Sequence, residues 1–234
     1  MTIEADIERI PRRRTANGSQ RAVLRAEANL PVNGKVMRVM VFGLTGIDGA
    51  RAEEVVALVN SRDPTAVPLV RVHSACLTGD ILGSQKCDCG DQLKVALRQI
   101  QVRPHGMLLY MLNHEGRGIG LTQKIRAYAL QDGGDNTIEA NLNLGLPVEA
   151  RDFIAAAEVL HLLNSDTIDL LTNNPLKIEG LETHGVTVRH RVPIQGDLTE
   201  QNAQYLLDKD QRMGHIGALP AHYLQGPKAT QDVS

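Results

Sequence analysis

Apolar and polar positions change their period several times along this chain, and each change marks an element. Lys35 to Phe42 mixes alternation with an apolar end and follows the turn signal Asn33-Gly34, which predicts a strand. Val55 to Val59 and Pro68 to His73 read as further strands. From Asp91 the spacing turns helical, with Leu93, Ala96, Leu97 and Ile100 on one face. Gly106 to Leu112 is a short apolar run between a glycine and a polar loop, the pattern of a buried strand. Beyond that loop, Leu121 to Gln131 predicts a helix closed by Asp132-Gly133-Gly134, and Phe153 to Leu163 predicts another. Ile168 to Leu171 reads as a strand, Pro175 to Thr183 as a helix begun by proline, Val186 to His190 as a strand, and Thr199 to Arg212 as a last helix. Both ends lack periodicity: residues 1–20 are expected to be a flexible, solvated arm carrying Arg12-Arg13-Arg14, and 220–234 a loose tail. With no internal repeat or low-complexity linker between them, residues 21–219 are expected to form one compact domain. Its class is α/β (mixed α+β), a mixed sheet with flanking helices.

Composition narrows the partners more than the fold. A formal net charge of −2 offers no general attraction to nucleic acid or to an anionic membrane, so an anionic ligand needs a local basic pocket. With no Trp, 2 Phe and 4 Tyr, base-stacking platforms are not expected. No apolar run approaches the ~20 residues of a membrane span. All three cysteines fall within one short window, which suits a reducing compartment better than a disulfide framework, and the cytoplasm is the expected location.

That window, Cys76-x10-Cys87-Asp88-Cys89, is the first chemical clue. Three neighbouring thiols point to a single metal centre, zinc by preference. A histidine such as His73 could close the shell as a structural site, or an open fourth position could admit water as in a catalytic one. Gly90 and Gln92 follow at once at a predicted helix start, whose free N–H groups favour anions. His114 to Gly120 lies between a buried strand and a helix, where α/β proteins place ligands. Arg117 there offers a fork for phosphate and Glu115 could accept from a guanine-like N–H pair, although tight-turn geometry explains such glycines equally well. In Glu149-Ala150-Arg151-Asp152, the bland reading is capping of the next helix by Asp152. Thr172 and Lys177, around the turn Asn173-Asn174-Pro175, would suit phosphate or base contacts, or merely a turn.

Taken in order, these segments resemble GTP cyclohydrolase II. The resemblance rests on Arg71-Val-His-Ser-x-Cys-Leu-Thr-Gly-Asp80, Cys87-Asp-Cys-Gly90, Glu115-Gly-Arg-Gly-Ile-Gly-Leu121, Lys124-x-Arg-Ala-Tyr-Ala-Leu-Gln-Asp132, Thr137-x-Glu-Ala-Asn141 and Leu171-Thr-Asn-Asn-Pro175, with a weaker echo at Met213-Gly214-His215. It implies a cyclohydrolase II-like fold and zinc-dependent hydrolysis of GTP at C8, with release of formate and, in the presence of Mg²⁺, of pyrophosphate. The product implied is 2,5-diamino-6-ribosylamino-4(3H)-pyrimidinone 5′-phosphate, in the first step of riboflavin biosynthesis. By the same resemblance Cys76, Cys87 and Cys89 are the zinc ligands, with water in the fourth position. Arg71, Val72, His73, Ser74, Ala75, Gln92, Glu115, Gly116, Arg117, Thr137, Thr172 and Lys177 match nucleotide-contacting positions. Arg151 matches an arginine proposed to attack the α-phosphate, for which an electrostatic clamp is the competing role. Glu149 matches a proton acceptor, and Tyr128 a tyrosine linked to ring opening. A homodimer is implied, as is the monofunctional form, since 234 residues leave little room for the dihydroxybutanone-phosphate synthase domain of bifunctional relatives.

The chain departs from that pattern at Ala75 (the family has Glu), at Asn113-His114 (Arg-Gln is common), at Leu176 (a basic residue is common) and at Glu149 (often Asp). These departures motivate a second reading, a paralogue with altered substrate or product such as the homologues linked to uracil catabolism. A third reading is a catalytically silent protein that binds zinc and nucleotide.

Overall fold

The computed structural model describes residues 21–45 and 53–217, so the expected arm and tail lie outside the described residues. Seven strands form one mixed sheet in the order β1-β2-β3-β5-β4-β6-β7. The strands are β1 (Arg21–Val32), β2 (Lys35–Thr45), β3 (Glu53–Ser61), β4 (Leu69–Ser74), β5 (His105–Met111), β6 (Thr167–Leu171) and β7 (Thr187–Val192). Antiparallel pairing runs from β1 to β5, and β5, β4, β6 and β7 are mutually parallel. Asn33 and Gly34, both with positive φ, close the β1–β2 hairpin at the expected turn.

Strands β4 and β5 are buried on both faces, which is why β5 reads as an apolar run rather than an alternation, while β7 at the sheet edge is mostly exposed. Met107, Leu109, Val70, Val72 and Leu170 face a core built with the alanine-rich helix α5 (Ile154–Leu162). Leu69, Leu108 and Leu171 face the opposite side, against Ala96 and Ile100 of α2 (Cys89–Val102). Four further helices are α1 (Leu77–Asp80), α3 (Leu121–Asp132), α4 (Thr137–Asn143) and α6 (Pro175–Thr183). The last, α7 (Ala203–Arg212), starts four residues later than expected because residues 199–202 form a turn in which Asn202 Oδ1 accepts from the Thr199 N–H.

Four elements carried no expectation, the short helix α1 among them. Strand β1 is the longest, but its register slips between Leu24 and Ala26, and that bulge breaks the alternation that would have signalled it. Helix α4 is held by a capping box in which Asn136 accepts from the Glu139 N–H and Glu139 accepts from the Asn136 N–H. The loop 112–118 is wound into 3₁₀ turns. Among the described residues, no helix is long and apolar enough to cross a membrane.

Candidate active site

A cleft of about 1010 Å³, counting its open mouth, lies beyond the carboxyl ends of β4, β5 and β6. This is where parallel sheets place ligands, because the connections leaving those strands diverge there. On leaving β4 the chain puts Cys76 at the start of α1, while Cys87 ends the following turn and Cys89 opens α2. The three Sγ atoms lie within 4.8 Å of one another, with Cys76 and Cys87 3.6 Å apart. Tetrahedral zinc–thiolate bonds of ~2.3 Å would set such sulfurs about 3.8 Å apart, so the trio fits that ion. The space around the sulfurs is tight: a Cβ on Gly79 would come within 2.9 Å of Cys87 Sγ and 3.1 Å of Cys76 Sγ, and one on Gly90 within 2.3 Å of the Gly79 carbonyl oxygen.

Charge in the trio is shared unequally. Hydrogen bonds from Cys87 and Cys89, with help from Lys124, hold Cys76 far below the usual thiol range. Cys87, facing that thiolate, is pushed up to about 11. Only a cation would let all three ionise together. Lys124 Nζ donates to Cys76 Sγ at 3.0 Å and to Glu115 Oε1 at 2.7 Å, while the other Glu115 oxygen takes the Leu77 N–H at 2.7 Å. The Glu115 carboxylate is therefore committed to the metal loop, and it does not line the cleft.

Beside the thiols lies a relay of buried charge. Arg71 reaches the Leu171 carbonyl at 3.0 Å and Gln92 Oε1 at 2.7 Å, and Gln92 in turn donates to Asp88 Oδ2 at 2.6 Å. Burial draws the Arg71 pKa down to about 10, against the pull of Asp88. His73 donates through Nε2 to Asp80, which also takes Tyr110 Oη at 2.8 Å and the Cys76 N–H at 3.1 Å. Arg71 Nε and His73 Nδ1 are buried without a hydrogen-bond partner among the described residues. Such atoms cost ~1–3 kcal/mol each unless a ligand or water meets them.

Across the cleft, Arg151 donates to Glu149 through Nε at 2.6 Å and through a second nitrogen, and to Ser74 Oγ at 3.1 Å. Burial opposes the Glu149 carboxylate, but the Arg151 bonds prevail and hold its pKa below the usual range. Ser74 Oγ also meets His114 Nδ1 at 3.3 Å. Burial, with Lys177 and Arg151 nearby, pushes the His114 imidazole down to about 3, so it is neutral. Asp152 accepts from the Ile154 N–H, although the N-cap position itself is Phe153, whose side chain makes no cap bond. Arg117 sits at φ +61, a strained setting for a non-glycine residue, between Gly116 and Gly118. A Cβ at Gly118 would strike the Ala150 carbonyl at 2.9 Å, which locks this loop to the Glu149–Arg151 segment.

The cleft lining thus brings together the three cysteines, Arg71, His73, Ser74, Ala75, Gln92, Gly116, Arg117, Tyr128, Thr137, Arg151, Thr172 and Lys177. Val72, Glu115 and Glu149 stand behind it. The Val72 side chain is core, and its carbonyl accepts from Lys177 Nζ at 2.7 Å. Sequence reasoning did not single out Lys124, Tyr205 or Lys209, which also line the cleft, nor Asp80 and Asp88 behind it. Asp88 was signalled by its place between two cysteines, and Asp80 and Lys124 by their places in the segments that carry the resemblance; Tyr205 and Lys209 are brought in by tertiary contacts alone.

A family model described as GTP cyclohydrolase II matches residues 23–193. The chain belongs to the GTP cyclohydrolase II family. Its cysteine cluster, which could hold a metal ion, opens onto the cleft. The chain is 48% identical over 178 residues to GTP cyclohydrolase-2 of Neisseria meningitidis, covering 75% of this chain and 89% of that protein. It is 46% identical over 205 residues to riboflavin biosynthesis protein RibBA of Salinispora arenicola, covering 88% of this chain and 47% of that one. With bifunctional riboflavin biosynthesis protein RIBA 1 of Arabidopsis thaliana it shares 50% identity over 151 residues, covering 64% of this chain and 28% of the relative. The chain spans about half the length, or less, of several of the curated relatives it matches.

Proposed function

We propose that the protein hydrolyses GTP as a zinc-dependent GTP cyclohydrolase II, releasing C8 as formate and the terminal phosphates as pyrophosphate. One observation carries this reading: the thiol trio opens onto a cleft whose lining, among the described residues, includes six basic side chains (Arg71, Arg117, Lys124, Arg151, Lys177 and Lys209) and no carboxylate. A polyphosphate is the ligand such a lining favours. Zinc held by Cys76, Cys87 and Cys89 would supply a Lewis acid and lower the pKa of water to about 7.

The chain's own residues do the rest. Arg151, fixed by Glu149 and Ser74, is an electrostatic clamp for the phosphates, since a bidentate carboxylate holds its guanidinium in a fixed orientation. Arg71 and Lys177 line the same region. Tyr128, whose phenol burial holds above its usual pKa, stays protonated and can donate to a ring nitrogen as C8 loses its two bonds to nitrogen. Mg²⁺ would accompany the nucleotide and offset the charge of its phosphates. The three free cysteines fit a reducing cytoplasm, and a homodimer is part of the same reading.

The test is to incubate zinc-replete protein with GTP and Mg²⁺ and to quantify formate and pyrophosphate. Equal amounts of both support the assignment. Pyrophosphate alone indicates phosphate chemistry without removal of C8. Neither product, with zinc bound, favours the second reading, a paralogue with another substrate. Ala75 and His114, which line the cleft where the family carries other residues, support that alternative.

A further inference from the structure

Beyond residue 193, where the family match ends, the chain returns to the cleft as α7 and the turn after it. This helix is fastened in an unusual way. Its buried side chains are Leu206, Asp208 and Lys209, so charge rather than an apolar stripe makes most of its inner face. Lys209 Nζ donates to Asp88 Oδ1 at 2.6 Å and sits 4.4 Å from the centre of the Tyr205 ring. Asp208 accepts from the Thr137 N–H at 3.4 Å. After the helix, the His215 N–H returns to the Lys209 carbonyl at 3.0 Å, and the Ile216 N–H reaches the Asn173 carbonyl at 2.8 Å. Residues 203–216 are thereby tied to the metal loop, to the start of α4 and to the turn after β6.

Tyr205, Lys209 and His215 all line the cleft. Asp88 lies between Cys87 and Cys89, and its second oxygen holds Gln92, which holds Arg71. One carboxylate therefore aims both the lysine of the strap and the arginine of the floor. Lys209, Lys177, Arg151 and Arg117 surround His215 closely enough that, after burial, they are what keeps its imidazole uncharged. Asp88 and Glu149 offset two of these cations, and the positive charge left over favours a further anion among them.

We propose that Lys209 is a further polyphosphate-binding residue of this cleft, carried by α7 and positioned by Asp88, and that an anionic chain bound there tightens the docking of residues 203–217. This rests on the polyphosphate part of the functional reading only, not on the chemistry at C8.

Inorganic tripolyphosphate separates the two. Calorimetric titration of the zinc-loaded full chain should show Lys209→Met binding roughly tenfold more weakly than the wild type, the effect of losing one charge-assisted contact. In the wild type, hydrogen exchange read by mass spectrometry should slow across 203–217 when tripolyphosphate saturates the cleft. Equal affinities, no binding to the wild type, or unchanged exchange in that segment would each overturn the proposal. The exchange experiment needs no variant, so it decides even if Lys209→Met does not fold. Lys209-dependent tripolyphosphate binding in a protein that releases no formate from GTP would sink the cyclohydrolase reading and leave the strap standing.

Discussion

Arg151 works under two constraints, a carboxylate that fixes its plane and a hydroxyl that fixes its far nitrogen. Neither Glu149 nor Ser74 touches the thiols in this arrangement, so the clamp and the metal site are separable. Arg151→Ala should therefore leave metal content at the wild-type level while kcat on GTP falls on the order of 10²-fold or more, the scale for losing a preorganised charge. Metal analysis and a formate assay on the same preparation check this; unchanged turnover would remove Arg151 from the reaction. Sequence singled out both residues only through the family resemblance, with separate roles, and their mutual bond was not foreseen. Nor was the tie of Arg151 to Ser74, 77 positions away. The same holds for Glu115: its spacing in a glycine-rich loop invited a base contact, and only the fold shows its carboxylate spent on Lys124 and the Leu77 N–H.

Helices α1 and α2 meet backbone to backbone at Gly79 and Gly90, and this contact shapes the pocket that holds the three sulfurs. A methyl group at Gly79 cannot rotate away from the sulfurs of Cys76 and Cys87 and the Cβ of Cys89, which are its three nearest neighbours. Gly79→Ala is expected to cut bound metal to below roughly half of one ion per chain while circular dichroism keeps its native shape, because a short misplacement of ligands is felt by a site of fixed geometry before it is felt by the sheet. Full metal occupancy in that variant would show that α1 gives way more easily than this packing implies. Among the elements, those with one clean period were legible: α6 begins and ends where its proline and its spacing put it. Strand β1 was not, since a bulge shifts its alternation, and α4 was passed over although Asn136 and Glu139 spell its capping box.

On the scale of the whole molecule, the metal loop joins β4, α1 and α2 to the strap through Asp88, so the ion should stabilise more than its own ligands. Chelation is expected to lower the Tm on the order of 10 °C, given ~2–4 °C per kcal/mol for a chain of this size, and re-addition of zinc should restore it. A Tm indifferent to chelation would confine the site to a local role. By itself the sequence determined the fold class, most of the strands and helices, and the three metal-ligating candidates. Those depend on period, punctuation and residue chemistry over short distances, where a chain's own neighbours supply the physics. Tertiary structure alone decided which charges face the cleft and which stand behind it. It set Lys209 on Asp88, 121 positions apart, and left Glu115 and Val72 outside the lining of the cleft. Such pairings are settled by which buried groups can satisfy one another once the sheet has brought them together, and no local pattern encodes that choice.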